Sequence, residues 1–173
     1  FVGLLFATLC LIISTTTPLK IMPNWCYNRI SVYADGTEQV NQLKEIHDIF
    51  EKDNPFNQIL PVPDFKNIPN AKGDLPILEQ HKGKDGEVMF ETYNFPDGKN
   101  DDRWYHWCIS NWGTKWELSE LDIEYDDDEQ LTLTFSTAWS PPEGVIAELK
   151  ERYPDLSFTC FYDEPGMEAA GYY

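Results

Sequence analysis

A period of two residues marks the first regular segment of the chain, WCYNRISVYA at residues 25–34. Cys26, Ile30 and Val32 fall on the same side of this alternation, and the segment is rich in β-branched and aromatic residues. An alternation of this kind is typical of a strand with one buried face. The segment therefore predicts the first strand of a sheet.

The pattern changes to a helical period in residues 37–52. Val40, Leu43, either Ile46 or His47, and Phe50 recur at the spacing that places side chains on one face of a helix. An acidic residue near the start of the segment and a lysine at its end also suit the helix dipole. We predict one amphipathic helix here.

Two alternating segments, residues 117–126 and 130–139, predict an antiparallel hairpin with an acidic turn, YDDDE. Leu131, Leu133 and Phe135 lie on one side of the second segment, and threonine or serine residues lie on the other. We therefore expect the hairpin to bury one face.

The segment SPPEGVIAELKERYP, residues 140–154, predicts the second main helix of the fold. Ser140 is placed to cap the helix, Pro141 fits its first position and Glu143 completes a capping box. Pro154 ends the helix, and the following segment, DLSFTCFYDE, predicts the last strand.

A long segment, residues 54–103, separates the first helix from the hairpin and holds six of the twelve prolines. We interpret it as an insertion that is ordered by docking its apolar residues, because long structureless loops are unusual in compact domains. The segment EVMFETYNF within it suits a short strand. Residues 101–113 then predict an extra helix. The apolar face of that helix comprises Trp104, Trp107, Cys108 and Trp112.

Without the insertion, the order of elements is β-α-β-β-α-β. This order predicts an α+β fold of ferredoxin-like topology, an antiparallel sheet with helices on one face. We expect one such domain at residues 22–173, with the insertion at about residues 54–103 between the first helix and the second strand.

The first residues of the chain, 1–21, do not fit that domain. Their apolar run, FVGLLFATLCLII, is shorter than the roughly 20 residues that span a bilayer. It also lacks a basic start and a small-residue cleavage site. We interpret this leader as a gene-model artefact or a truncated signal, and expect no membrane association unless the leader is real.

The formal net charge is −17, from 30 acidic and 13 basic residues. Such a surface repels duplex DNA and RNA, because it has no basic stripe that displaces phosphate counterions. An anionic membrane surface is disfavoured for the same reason. A basic partner, a neutral ligand, or acidic mimicry of DNA toward a nucleic-acid enzyme stays possible.

The four cysteines are Cys10, Cys26, Cys108 and Cys160, and none forms a C-x-x-C pair. Structural zinc sites need close ligand pairs, so we predict no metal site. The last three lie among aromatic or β-branched neighbours, as buried free thiols do. This pattern favours a reducing, cytoplasmic location.

The segment NWGTKWEL, residues 111–118, carries the most distinctive candidate chemistry. In one interpretation, Trp112 and Trp116 stack on a flat or sugar-like ligand while Lys115 meets an anion. In the other, the segment is a helix-to-strand corner. There Gly113 takes the left-handed conformation, the tryptophans fill the core, and Lys115 pairs with a buried carboxylate, for which we predict Glu164.

Four blocks of this sequence, MPNWCYNRISV, WYHWCISNWGTKW, FSTAWSPP and FYDEPG, together resemble the YubB-type ferredoxin-like family of phages, plasmids and bacteria. They span residues 22–166 and occur in the same order. The resemblance implies a ferredoxin-like domain, an intracellular setting and an association with mobile elements. It implies no activity. The leader before Met22 departs from the family pattern.

The sequence has no P-loop, G-x-G-x-x-G, H-E-x-x-H or G-x-S-x-G motif, so we predict no cofactor and favour a non-enzymatic role. Our interpretation is a binding or interaction module for an unknown protein or small molecule, acting through an aromatic face that includes Trp104. An acidic mimic of DNA is the alternative, and a small hydrolase is a more distant one. The candidate binding residues are Trp112, Lys115, Trp116, Trp139 and Glu164.

Overall fold

The computed structural model describes residues 24–126 and 129–173. The apolar leader and the middle of the acidic turn lie outside the described residues. The strands are β1 (Trp25–Tyr33), β2 (Ile77–Lys82), β3 (Val88–Asn94), β4 (Ser119–Asp126), β5 (Gln130–Ala138), β6 (Ser157–Glu164) and β7 (Ala169–Tyr172). The α-helices are α1 (Thr37–Phe50), α2 (Pro55–Ile59), α3 (Arg103–Asn111) and α4 (Glu143–Arg152).

The main sheet has the strand order β4-β5-β1-β6-β7, and every neighbouring pair is antiparallel. Along the chain, strands β1, β4, β5 and β6 and helices α1 and α4 follow the predicted β-α-β-β-α-β order. The prediction of a ferredoxin-like fold is therefore confirmed. The short strand β7 extends the sheet beyond β6 and was not predicted, because it has only four residues and they alternate weakly.

The helices cover one face of this sheet, and the core lies between them. Ile30 from β1 and Leu133 from β5 are fully buried against Leu43 of α1 and Leu149 of α4. This arrangement confirms the predicted inward side of β5, because alternate residues of a strand must point to opposite faces.

None of the helices in residues 24–126 and 129–173 covers the opposite face of the main sheet along β1, β6 and β7. Tyr27, Tyr33 and Tyr172 are 50%, 38% and 75% exposed on it, and Arg29 is exposed between them. An antiparallel sheet commonly leaves one face to solvent, and here that face carries aromatic rings and a cation.

The insertion lies between α1 and β4, as predicted, and folds into α2, a short 3-10 turn and a separate β2–β3 hairpin. Arg103, at the start of α3, fastens it. Its guanidinium donates to the carbonyl oxygens of Phe65 and Ile68 and to both oxygens of Asp101. The guanidinium also lies 5.1 Å from the ring centre of Phe95.

The start of α4 differs from the predicted capping box. The helix begins at Glu143, and Pro142 stands at its cap position without a side-chain cap. The Ser140 hydroxyl instead donates to the carbonyl oxygen of Gly113, 2.5 Å away. The predicted cap is therefore wrong, because a partner distant in sequence takes the hydroxyl. None of the helices in the described part of the chain is long and apolar enough to cross a lipid bilayer.

Candidate functional site

The NWGTKWEL segment forms the corner between α3 and β4. Gly113 has a φ of +89°, the left-handed conformation that the corner interpretation predicts. A Cβ at this position would lie 2.9 Å from the carbonyl oxygen of Pro141. The corner is therefore closed tightly against the loop that leads into α4.

Three hydroxyl groups fix the corner to the end of β5. Thr114 donates to the carbonyl oxygen of Ala138 at 2.9 Å, and Ser140 donates to that of Gly113. Thr137 donates to the carbonyl oxygen of Ser140 at 2.8 Å. These bonds hold the loop after β5 against the corner, so side chains from both segments keep a fixed relative position.

Trp112 lies in the core and not on the surface. It is 3% exposed, and its indole nitrogen donates to the carbonyl oxygen of Leu60 at 2.7 Å. Its ring packs edge-on against those of Phe56 and Trp107. The corner interpretation, in which this tryptophan fills the core, agrees with this position, and Trp112 takes no part in the exposed aromatic surface.

Glu117, in the same segment, ties the insertion to the corner. Its carboxylate accepts hydrogen bonds from the backbone nitrogens of Phe56 and Asn57, at 3.0 and 2.8 Å, at the start of α2. Burial raises the pKa of Glu117 above its ordinary value, although these hydrogen bonds oppose the rise. The position of α2 therefore depends on a residue of the motif itself.

Lys115 lies among three aromatic rings. Its side-chain nitrogen is 4.5 Å from the ring centre of Trp116, 5.0 Å from that of Trp139 and 5.4 Å from that of Tyr105. All three distances are within the range of a cation–π interaction. We call these four residues the Lys115 cluster. Tyr105, Lys115 and Trp116 are partly buried and Trp139 is 39% exposed, so the cluster opens to solvent.

The backbone of Trp139 is in an unusual conformation. Its φ is +69°, which costs an L-residue about 1–2 kcal/mol because Cβ crowds the following carbonyl oxygen. The backbone nitrogen of Trp139 donates a hydrogen bond to the carbonyl oxygen of Asn24, 2.9 Å away and next to the start of β1. The fold thus holds this ring in place against local strain, a property often found at functional sites.

The predicted pair between Lys115 and Glu164 is not formed. No ion pair within 4.0 Å involves Lys115 among the described residues. Glu164 is 2% exposed at the end of β6, and its Oε2 accepts the backbone N–H of Met167. Its Oε1 has no hydrogen-bond partner in the described part of the molecule. The ion pair was predicted because both residues lie at element ends, but Glu164 turns toward a different loop.

A buried polar network that the sequence does not reveal lies beside Glu164. The Asn28 amide donates to the carbonyl oxygen of Cys26 at 2.9 Å and to the Thr137 hydroxyl at 2.8 Å. Burial raises the pKa of the Cys26 thiol to about 11. Burial also raises the pKa of Tyr173, whose hydroxyl lies 3.5 Å from the Asn28 amide oxygen. These groups satisfy one another and hold the inner face of the sheet together.

The three described cysteines are free and buried, as predicted, and none of them belongs to a group with metal-ligand geometry among the described residues. In the described residues, such a group occurs at His47 and Asp48 of α1 and Glu51 directly after it, whose ligand atoms lie within 4.8 Å of one another. The pKa of Asp48 is lowered by hydrogen bonds from His47 and Lys44. Partners on its own helix therefore account for this group, and the donor set alone does not define a metal site.

Tyr105 completes the Lys115 cluster and was not predicted. The helical period assigned its neighbours, Trp104 and Trp107, to one face of α3, and Tyr105 lies off that face. Trp104 is 42% exposed, and its ring meets the edge of the Tyr105 ring at 6.0 Å. The exposed aromatic surface therefore extends from the Lys115 cluster onto Trp104, while Trp112 lies beneath it.

Comparison with known proteins agrees with the fold. Residues 92–173 match a family model described as "Ferredoxin-like domain in Api92-like protein". The match begins in β3 and continues through β7, and so contains all four residues of the Lys115 cluster. The chain is thus similar to an Api92-like ferredoxin-like α+β domain over its second half.

Among solved structures, the chain aligns with the crystal structure of a protein api92 from Yersinia pseudotuberculosis. The TM-score is 0.47 and the sequence identity 11%, over 87% of this chain and 93% of that chain. No curated protein matches the chain.

Proposed function

We propose that this protein is a binding module, not an enzyme, and that its contact surface is the Lys115 cluster. The observation that carries the proposal is the position of the Lys115 ammonium group over three rings, with Trp139 partly exposed beside it. A solvent-exposed lysine ordinarily moves freely, and here it has a defined place.

The chemistry of the cluster favours a ligand that combines a flat apolar face with an acidic group. Aromatic rings at an open site offer stacking area at little cost in conformational entropy. The ammonium group has three N–H donors and no carboxylate within 4.0 Å among the described residues, so its charge is available to an anion. A sugar that carries a carboxylate has both features.

The strain at Trp139 supports the same proposal. Glycine or asparagine adopts the left-handed conformation at a lower cost in free energy than tryptophan does, so the backbone does not require a tryptophan here. The ring itself is then the reason for the residue, and 39% of its surface remains exposed.

The resemblance to the YubB-type family adds the expectation of an association with phages or plasmids to this proposal.

Calorimetric titration with glucuronate tests the proposal, with neutral glucose as the matched ligand that lacks the acidic group. We expect saturable binding of glucuronate and weaker binding of glucose. Lys115→Gln should remove the difference between the two sugars, since it removes the charge that recognises the carboxylate. Trp139→Asn, which suits the left-handed backbone, should weaken both ligands.

Tyr172→Ala is the control variant, because it removes an exposed ring at the other end of the sheet. It should bind glucuronate like the unmodified protein. If neither sugar binds, or if Trp139→Asn and Tyr172→Ala weaken binding equally, the Lys115 cluster is not the contact surface for this class of ligand.

The alternative function, mimicry of DNA, is tested by substitutions of Asp122 and Glu124, two exposed carboxylates on β4. Capture of a DNA-cutting or DNA-modifying enzyme that survives Trp139→Asn and is lost in the double variant Asp122→Asn, Glu124→Gln would favour mimicry. Capture that is lost in Trp139→Asn would favour the aromatic surface.

A further inference from the structure

A second candidate site lies on the open face of the main sheet, away from the Lys115 cluster. An open cavity of about 370 Å³ is formed there by side chains of β1, β5, β6 and β7. Its lining includes Arg29, Tyr33, Gln130, Thr159, Phe161 and Tyr172. The Lys115 cluster lies where β5 ends and β1 begins, whereas this cavity lies toward the opposite ends of those two strands.

The strand register aligns a cation with two rings across this face. Arg29 of β1 is directly opposite Phe161 of β6, and Phe161 is directly opposite Tyr172 of β7. Directly opposed residues on one sheet face lie about 5 Å apart at Cβ, so the three side chains are neighbours. The Phe161 and Tyr172 ring centres are 5.3 Å apart. The two ring planes meet at 63°, edge to face, so this alignment places a guanidinium in the same row as two rings that differ in orientation.

The charge of Arg29 is not neutralised by an ion pair. No carboxylate lies within 4.0 Å of it among the described residues. Arginine is also the residue whose planar fork of donors fits a phosphate or carboxylate in two parallel bonds. An exposed, unpaired arginine beside rings therefore favours a planar ligand with an anionic group.

Carboxylates on the same face limit how much negative charge such a ligand can carry. Asp163 is opposite Tyr27, and Asp122 is opposite Thr134, which is itself opposite Arg29. Both aspartates are exposed, and the chain as a whole carries −17. A long polyanion would be repelled by these groups, whereas one phosphate can be held at Arg29.

We propose that this face binds a nucleoside monophosphate, with the phosphate at Arg29 and the base stacked on the exposed ring of Tyr172, in contact with Phe161 beside it. Stacking on aromatic side chains accepts any base, because every base has a π-face. Ser31 and the amide nitrogen of Gln130 already bond to the Thr132 hydroxyl. The Thr159 hydroxyl and the amide oxygen of Gln130 also line the cavity and offer hydrogen bonds to the sugar or to the edge of the base.

An NMR titration of the full chain with adenosine monophosphate tests this proposal. Adenosine, which lacks the phosphate, and inorganic phosphate, which lacks the base, are the matched probes. We expect saturable shifts of amide signals in β1, β6 and β7 with adenosine monophosphate, and weaker binding of either half alone. Arg29→Gln should weaken binding by about tenfold, the loss expected when a hydrogen bond to a charged group is removed.

The control variants separate this site from general charge effects. Lys82→Gln removes one positive charge from the exposed β2–β3 hairpin and should leave the affinity unchanged. Tyr172→Ala should weaken binding, whereas Trp139→Asn should not. Arg29→Lys should retain part of the affinity, because it keeps the positive charge that attracts the phosphate.

Four results would overturn the proposal. These are an absence of shifts at millimolar nucleotide, equal affinity for adenosine and its monophosphate, equal effects of Arg29→Gln and Lys82→Gln, and much tighter binding of a single-stranded oligonucleotide. The last result would indicate a surface for nucleic-acid strands. Because Trp139→Asn should weaken only sugar binding and Tyr172→Ala only nucleotide binding, each proposal fails or succeeds separately.

Discussion

The side-chain nitrogen of Lys115 lies 4.5 Å from the centre of the Trp116 ring, closer than to either other ring of its cluster. A cation at such a distance is attracted to the negative face of the ring. We therefore expect Lys115→Gln to destabilise the fold by about 1 kcal/mol, the value typical of a partly exposed cation–π contact. Urea denaturation measures this difference. Lys82→Gln, on the exposed hairpin, should change stability by less than half as much, and equal losses would contradict the account.

The left-handed backbone of Trp139 leads to a comparison between two variants. Trp139→Ala and Trp139→Gly both remove the ring, but only glycine adopts a φ of +69° without crowding its Cβ. The glycine variant should therefore be the more stable of the two, by about 1 kcal/mol. Thermal or urea unfolding of both proteins checks this order. A more stable alanine variant would show that this position is not left-handed in solution.

At Gly144 we expect a single added methyl group to lower the stability of the fold strongly. A Cβ at this position would lie within van der Waals overlap of the Asn111 carbonyl oxygen, at 1.7 Å, because α4 begins directly against the end of α3. Gly144→Ala should therefore cost about 2 kcal/mol or more, as overpacking forces the two helices apart. Gly73→Ala is a partial control: no atom lies within 4 Å of its added Cβ, so only its positive φ is penalised. A smaller loss at Gly144 than at Gly73 would contradict the close approach.

The ion pair of Asp101 and Arg103 predicts a dependence of stability on pH. Hydrogen bonds from Arg103 lower the pKa of Asp101 in the folded chain, and the Asp101 side chain is 4% exposed. A carboxyl group with a depressed folded pKa stabilises the fold above its unfolded pKa and loses this effect as the pH falls through the folded value. Asp101→Asn should therefore cost about 3 kcal/mol at pH 7. The difference from the unmodified protein should shrink below about pH 4, near the ordinary pKa of aspartate.

Urea denaturation at pH 7, 5 and 3 measures that difference. Asp48→Asn is the matched control, because the pKa of Asp48 is also lowered but its side chain is 48% exposed. An exposed pair contributes little, so this variant should stay close to the unmodified protein at every pH. A difference at Asp101 that stays constant down to pH 3 would contradict the assigned pKa direction.

The elements that the sequence predicts well are those whose pattern is local. The inward side of β5 follows from a period of two over nine residues, and the buried face of α1 follows from a helical period, so both were predicted correctly. The predicted cap of α4 was wrong because the Ser140 hydroxyl has a competing partner at Gly113, 27 positions away. No local pattern encodes that contact.

In the candidate site, too, local features were predicted and contacts between distant segments were not. The left-handed Gly113 and the buried Trp112 follow from the end of a helix and from its apolar period. The surroundings of Lys115 do not follow from a local pattern, because the three rings around it come from α3, from the corner and from the loop after β5. Arg29 was likewise not singled out, since an exposed arginine on a strand is unremarkable until the register places two rings beside it.

The most direct measurement on the central proposal is an NMR titration with glucuronate that follows the side-chain signals of Lys115 and Trp139. If the Lys115 cluster is the contact surface, these signals shift together and saturably, and Trp139→Asn removes the shift of Lys115. If glucuronate moves neither signal, or moves Lys115 equally in Trp139→Asn, the cluster is a structural corner of the fold and not a binding surface.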